Sequence, residues 1–213
     1  MATIRKWSNV QMSMQSALAA ADTITGITKA SPAVVTSAAH GMSNGDFVFL
    51  SVLGMHQLND RVFRIANVAA NTFELEGVDS TSFDTFSSGT AQLITWGTSI
   101  TTCKSISSND PGADMLDATT VHDNAKVEVP GLQGAMTYSM EHLWDPADAG
   151  QVALKAAADA QAKRAFKLTF GSGGAITVFA GYVSFSGQPG GKAQDIVTTG
   201  GTITGRAPTH YSS

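Results

Sequence analysis

Between residues 10 and 15, apolar Val10, Met12 and Met14 alternate with Gln11, Ser13 and Gln15, the period of a strand with one buried face. From residue 23 to about residue 95 short apolar runs follow at close spacing and predict strands over 23–28, 33–37, 46–52, 61–68, 72–75 and 90–94. Turn-forming clusters separate them: Ser31-Pro32, Ser43-Asn44-Gly45, Asn59-Asp60, Ala70-Asn71 and Ser87-Ser88-Gly89. Over 46–52 the apolar positions are nearly continuous, as for a strand covered on both faces. Residues 101–117, rich in Ser, Asn and Asp around Pro111 and Gly112, read as a long loop, and a loop of that length in a compact domain is typically functional or mobile.

A further strand is expected over 136–144, then one helix over about 145–163. Asp145 suits its cap, Pro146 its first position and Asp148 its positive end. Ala149, Ala153, Ala156, Ala157 and Ala160 form a narrow smooth stripe for packing on a sheet; Lys155 lies opposite, and Lys163 and Arg164 suit the negative end. Strands over 165–170, 175–185 and 194–204 follow, joined by glycine-rich hairpin turns at 171–174 and 187–191. The strand at 10–14 finds a partner only among these later strands. Residues 23–95 therefore read as an all-β module inserted into a host domain made of 1–22 and 96–213.

Composition sharpens this picture. Only 14% of the 213 residues are charged and the hydrophobic share is 43%, so Ser, Thr and Gly replace the missing charge and favour turn-rich β-structure. A surface short of charge is also poorly protected against association. The net charge of −4 excludes a nucleic-acid binder that grips phosphates, but not a channel through which DNA slides. Cys103 stands alone, so no intrachain disulfide and no Cys-based zinc site is expected, and the chain suits synthesis in a reducing cytoplasm. Arg5, Lys6 and the alanines at 17 and 19–21 imitate a signal peptide, but Ser8, Asn9, Gln11, Ser13, Gln15 and Ser16 interrupt the apolar run. The chain is expected neither to be exported by that route nor to sit in a membrane.

Candidate chemistry is sparse. No two of the five histidines (40, 56, 122, 142 and 210) fall at i, i+3 or i, i+4 on the expected helix, and none pairs with Cys103. The glycine clusters lack the Lys-Ser/Thr of a phosphate loop, and no Gly-x-Ser-x-Gly elbow occurs. Asp145 and Asp148 are explained as helix-start residues. The aromatics spread along strands in a core pattern. We expect no enzyme, no cofactor and no metal; function should reside in surfaces and self-association.

The host segment resembles the major tail tube protein of long-tailed, lambda-like bacteriophages. The resemblance is carried by DATTVHDNAKVEVPGL (117–132), DPADAGQ (145–151), FAGYVSF (179–185), the closing TITG (202–205) with Pro208-Thr209, and TIRKWSNV (3–10). The segment 23–95 resembles a small β-module of phage structural proteins that is similar to the first catalytic-cysteine half-domain of ubiquitin-activating enzyme. ITGITKASPAVVT (24–36), His40-Gly41, Gly45-Asp46, Gly54-Met55, Leu58-Asn59 and FELEGVD (73–79) carry that likeness. No chemistry comes with it, because 23–95 contains no cysteine.

The resemblance implies a mainly β fold: a β-sandwich or rolled sheet with one flanking helix, plus the inserted module on the outside. It implies hexameric rings that stack into a tail tube, with tape measure and tail-end proteins as partners, in a virion assembled in the bacterial cytoplasm. Viral DNA would pass through the lumen without sequence-specific binding. Six copies of the chain carry roughly −24 per ring, a sign that would repel phosphates. The segment 103–117 and the N-terminal arm are the expected ring-to-ring contacts, with Arg5, Trp7, Ser107, Asn109, Asp110 and Asp114 as candidate residues. The rival reading is a carbohydrate-binding or adhesin-like β-protein of a phage particle.

Overall fold

The computed structural model of the protein describes residues 9–171 and 174–212. The chain forms β1 (Val10–Leu18), β2 (Asp22–Ile24), β3 (Gly26–Ile27), β4 (Ala33–Thr36), β5 (Phe47–Leu53), β6 (Arg61–Ala69), β7 (Thr72–Leu75) and β8 (Ser88–Ser99). Then come β9 (Cys103–Asn109), β10 (Ala113–Asp117), β11 (Glu128–Gln133), β12 (Met136–Leu143) and the helix α1 (Ala149–Asp159). The chain closes with β13 (Lys163–Phe170), β14 (Ile176–Phe185), β15 (Thr198–Gly205) and β16 (Thr209–Tyr211). The fold is mainly β with one helix, as the alternation predicts.

The pairing is antiparallel throughout, in the order β3-β4-β7-β6-β5-β8-β1-β13-β14-β15-β12-β9, with β2 on β8 and β16 on β14. The strand at the N-terminus does find its partner in the later β-region: β1 lies between β13 and β8. β8 is longer than expected and joins two regions. Its residues 88–93 pair with β5, and residues 94–99 run beside β1.

Three apolar cores follow from this path. One gathers Ile24, Val35, Leu50, Phe63, Phe73 and Leu75 between the early strands. A second gathers Met12, Tyr138, Met140, Leu154, Phe166, Phe179 and Ile203 beneath α1. A third, smaller core sets Phe47, Val62 and Ile94 against Ala165, Val178, Ala180 and Tyr211. The C-terminal strand fastens that junction. The Arg64 backbone N–H donates to Tyr211 Oη at 2.7 Å, and Thr209 Oγ1 donates to the Val62 carbonyl at 3.3 Å. Burial pushes the Tyr211 hydroxyl up to about 12, so it stays a neutral acceptor there.

Five expectations need correction. Residues 101–117 are not a loop: they contain β9 and β10. The helix begins at Ala149 because Asp148, not Asp145, caps it, accepting from the Gln151 N–H at 2.9 Å. Asp145 instead accepts from the Ala147 N–H in a turn, with Pro146 outside the helix. The buried face of α1 is Gly150, Gln151, Leu154 and Ala157, while Ala149, Ala156 and Ala160 face solvent. Leu154 buries more apolar area than any alanine, so it sets the rotation of the helix. Lys163 and Arg164 belong to β13 rather than to the helix end. Finally, residues 187–191 make no tight hairpin; β14 and β15 are joined by residues 186–197, pinched by a Gly190–Thr198 bridge.

Candidate assembly surfaces

Residues 103–143 form one long antiparallel hairpin. At its root β9 pairs with β12, with Asn109 opposite Thr137, and β12 is held in the sheet by β15. The ladder then continues outward: the Gly134 N–H donates to the Gly112 carbonyl at 2.8 Å, Ala113 lies opposite Gln133, and Asp117 opposite Glu128. Beyond the root, β10 and β11 pair only with each other. Gly112, at φ 72°, breaks the ladder's alternation in a turn closed by Asp110 Oδ1, which accepts the Gly112 N–H at 3.1 Å.

This projecting ribbon is solvent-exposed almost throughout, including its apolar side chains: Val121 is 97% and Leu132 86% exposed. Val129 and Leu116, paired across the ribbon, are about half exposed. An arm this apolar and this bare is unusual on a free monomer. Its carboxylates Asp117 and Glu128 also stand directly opposite each other, a destabilising arrangement in an isolated hairpin.

The sheet at the root has two dissimilar faces. Tyr138, Met140 and His142 of β12, with Ile203, Val183 and Phe185, point into the core. The other face carries rungs of small polar groups: Tyr182, Thr204, Thr137 and Asn109, then Ser184, Thr202, Ser139 and Ser107. Its charged members are Glu141 and its neighbour Lys104, 3.5 Å apart. The result is a four-stranded hydroxyl-lined surface of β14, β15, β12 and β9.

At the β13 side of this face lies a cationic ledge. Lys163 Nζ sits 5.3 Å from the Tyr182 ring and 2.9 Å from Asp60. Arg61 lies beside it, close enough to Arg206 for their like charges to interact. Burial lowers the Arg61 pKa first, and Arg206 adds to that.

Of the candidate contact residues, the hairpin brings four together. Ser107 and Asn109 lie on the hydroxyl face, Asp110 at the bend and Asp114 on the ribbon. Arg5 and Trp7 lie outside the described residues. Sequence reasoning missed Ser139, Ser184, Thr202 and Thr204, which join the same face only through strand register. It also missed an exposed apolar group at the opposite end of β12, Leu143, Trp144, Ile196 and Val197.

Among the described residues, titratable groups do not converge on a reactive centre. Among the described residues no cluster of three His, Cys, Asp or Glu could hold a metal. Cys103 is half-buried, and burial pushes its thiol up. His142 is fully buried opposite Thr199; neither ring nitrogen nor the Thr199 hydroxyl has a hydrogen-bond partner. Burial lowers the His142 pKa, with Asp148 opposing weakly. The unfolded chain, whose histidines titrate near about 6.5, therefore binds more protons at mildly acid pH than the fold does. The stabilising contribution of neutral His142 should be complete above about pH 6.5 and lost as pH falls through the lowered folded value. Melting curves from pH 8 to pH 5 should show that decline in the native chain and a flatter profile in His142→Leu; identical profiles would contradict it.

Residues 53–213, more than half of the chain, match the family model described as phage tail tube protein. No curated protein matches the chain.

Proposed function

Since this chain belongs to the phage tail tube protein family, a structural family of the virion tail, we propose that its copies close into hexameric rings that stack into the conduit for DNA. The hydroxyl-lined face of β14, β15, β12 and β9 is the observation that carries this reading. It is backed by core, so it is rigid, and it offers DNA no row of cations to bind. Facing the bore, it would present Ser and Thr hydroxyls that exchange hydrogen bonds with water as the duplex slides. Its one Lys104–Glu141 pair leaves the four strands near neutral, so this wall would release phosphate by offering little for it to bind.

The rings meet through the projecting hairpin. Asp110 at its bend and Asp114 on its ribbon make that contact with the N-terminal segment that carries Arg5 and Trp7, whereas Ser107 and Asn109 on its root strand turn toward the bore with the hydroxyl face. The segment 23–95 is the outer module, since a bore has no room for about seventy further residues per copy. The tape measure and tail-end proteins are the expected partners of the finished tube.

Negative-stain microscopy and light scattering over a concentration series test the reading directly. Hollow sixfold rings or tubes are expected, with tail-end proteins added as nucleator where the chain alone stays monomeric. A compact dimer or trimer without a central hole would refute it. In assembled tails, Ser139→Lys with Thr202→Lys should slow DNA ejection at least about tenfold by adding lysines in every copy along the bore. Unchanged ejection would remove this face from the lumen.

A further inference from the structure

The charge of this chain is not spread evenly. Residues 110–135 hold Asp110, Asp114, Asp117, Asp123 and Glu128 against a single Lys126, a net of −4, which equals the net charge of the whole chain. The rest of the molecule is neutral overall, so the projecting hairpin is the one strongly acidic part. Only Glu128 among these five carboxylates has an ion-pair partner among the described residues, and that partner is Lys126 of the same ribbon. Asp110, Asp117 and Asp123 instead accept from backbone N–H groups in their own turns.

The ledge is the converse. Arg61, Lys163 and Arg206 meet one carboxylate, Asp60, which binds Lys163 at 2.9 Å. Arg61 Nε is shielded from water and has no acceptor, and its guanidinium otherwise donates to the Gln57 carbonyl and Thr209 Oγ1 at 3.3 Å. Tyr182 is 54% exposed, with Lys163 Nζ over its ring at 5.3 Å. A surplus of buried-side cations beside an open aromatic is suited to a carboxylate-bearing partner.

The hairpin does not meet this need within its own copy. Arg206 follows Gly205, which lies opposite Met136 at the hairpin's root, yet among the described residues no ion pair joins a hairpin carboxylate to Arg61, Lys163 or Arg206: Glu128 pairs with Lys126, and Lys163 with Asp60. We infer that the acidic hairpin of one copy docks on the Arg61–Lys163–Arg206 ledge of a second copy. The contact is heterologous: ledge and hairpin are different surfaces, so each copy gives one and receives one, the arrangement that builds rings or continuous tubes rather than closed dimers. This rests on the self-assembly reading above and names its partner surfaces. Each ion pair is weak alone, but one contact per copy repeated around an assembly multiplies the effect.

A charge swap tests it. Asp114→Lys with Asp117→Lys in the hairpin, and Arg206→Glu on the ledge, are all changes at exposed positions, and matching melting curves establish that each variant is folded. Each set alone should raise the protein concentration needed for assembly about tenfold, and the combination should restore assembly toward the native level. Raising salt from about 0.05 M to 0.5 M should weaken native assembly in the same direction. If the native chain assembles but either set alone assembles normally, or the combination fails to recover, the docking is wrong and the tail tube reading stands. If the native chain forms no higher assembly even with tail-end proteins, both fall together.

Discussion

Replacing residues 111–135 with Asn-Gly is expected to leave a folded subunit that no longer forms tubes. The cut keeps Asn109 opposite Thr137, so β9 and β12 stay paired and a two-residue turn closes their hairpin. Nothing removed belongs to a core: β10 is exposed along its whole length, and of β11 only Gly131 is even partly covered. The melting temperature should therefore move by no more than about 3 °C, the shift of roughly 1 kcal/mol in a chain of this size. Loss of the opposed Asp117 and Glu128 removes a repulsion, so a small rise is as consistent as a small fall. Assembly should respond very differently. The apolar side chains that the ribbon leaves bare, Leu116, Val121, Val129 and Leu132, gain cover only from another copy. At about 25 cal/mol per Å² their loss should exceed 2 kcal/mol per contact, more than a thirtyfold weakening before repetition around a ring. Light scattering and negative-stain microscopy of the shortened chain, beside its melting curve, decide the matter. Tubes formed at native concentrations would end the stacking role of the hairpin, and a collapsed melting curve would show that it is part of the fold.

The contrast between what the chain discloses and what it conceals is clearest along this hairpin. Strands such as β5 and β7 are legible because the core covers them: Val48, Leu50, Phe73 and Leu75 leave an apolar trace. β9 leaves almost none. It is an edge strand with one face to solvent, and only Cys103 and Ile106 are partly covered, so CKSISSN reads as loop. The helix misled in another way. Asp145-Pro146 is a sound start signal on its own, yet Asp148 has the same chemistry three residues on, and Leu154 must face the core. The candidate surface was half legible. Polarity picked out Ser107 and Asn109, but Ser139, Thr202 and Ser184 join them by cross-strand register, a long-range property that no local pattern encodes. The ledge was hidden for the same reason, since Arg61, Lys163 and Arg206 are far apart in the chain.

Gly205→Ala should be among the most damaging single changes in the protein, and Gly200→Ala in the same strand nearly harmless. Gly205 lies directly opposite Gly181 on β14, at the point where β15 ends and the chain steps across Arg206 and Pro208 to become β16. The pairing there is offset by one residue: Gly181 faces Gly205, but Val178 faces Thr209. To make that step the strands approach closely. A methyl group on Gly205 would stand 2.0 Å from the Ala180 carbonyl oxygen and 2.8 Å from Gly181 Cα. Both obstacles are backbone, so no side-chain rotation relieves them and the strands must separate. Separation would pull β16 from β14 and loosen the Tyr211 and Thr209 hydrogen bonds that hold β6 to the C-terminus. A loss of about 3 kcal/mol is expected, which lowers the melting temperature by roughly 6–12 °C. At Gly200 the same methyl would find its nearest neighbour, the Met140 carbonyl oxygen, at 3.8 Å, an ordinary contact on an exposed stretch of strand. Alanine there should shift stability by less than about 0.5 kcal/mol, with the reduced freedom of the unfolded chain favouring a slight gain. Melting curves of the two variants at one pH separate the effects. A Gly205→Ala protein within 2 °C of the native chain would mean that β15 and β16 do not bind β14 as one offset strand. The C-terminal clamp on β6 would then have to be held by the Tyr211 side chain rather than by the ladder.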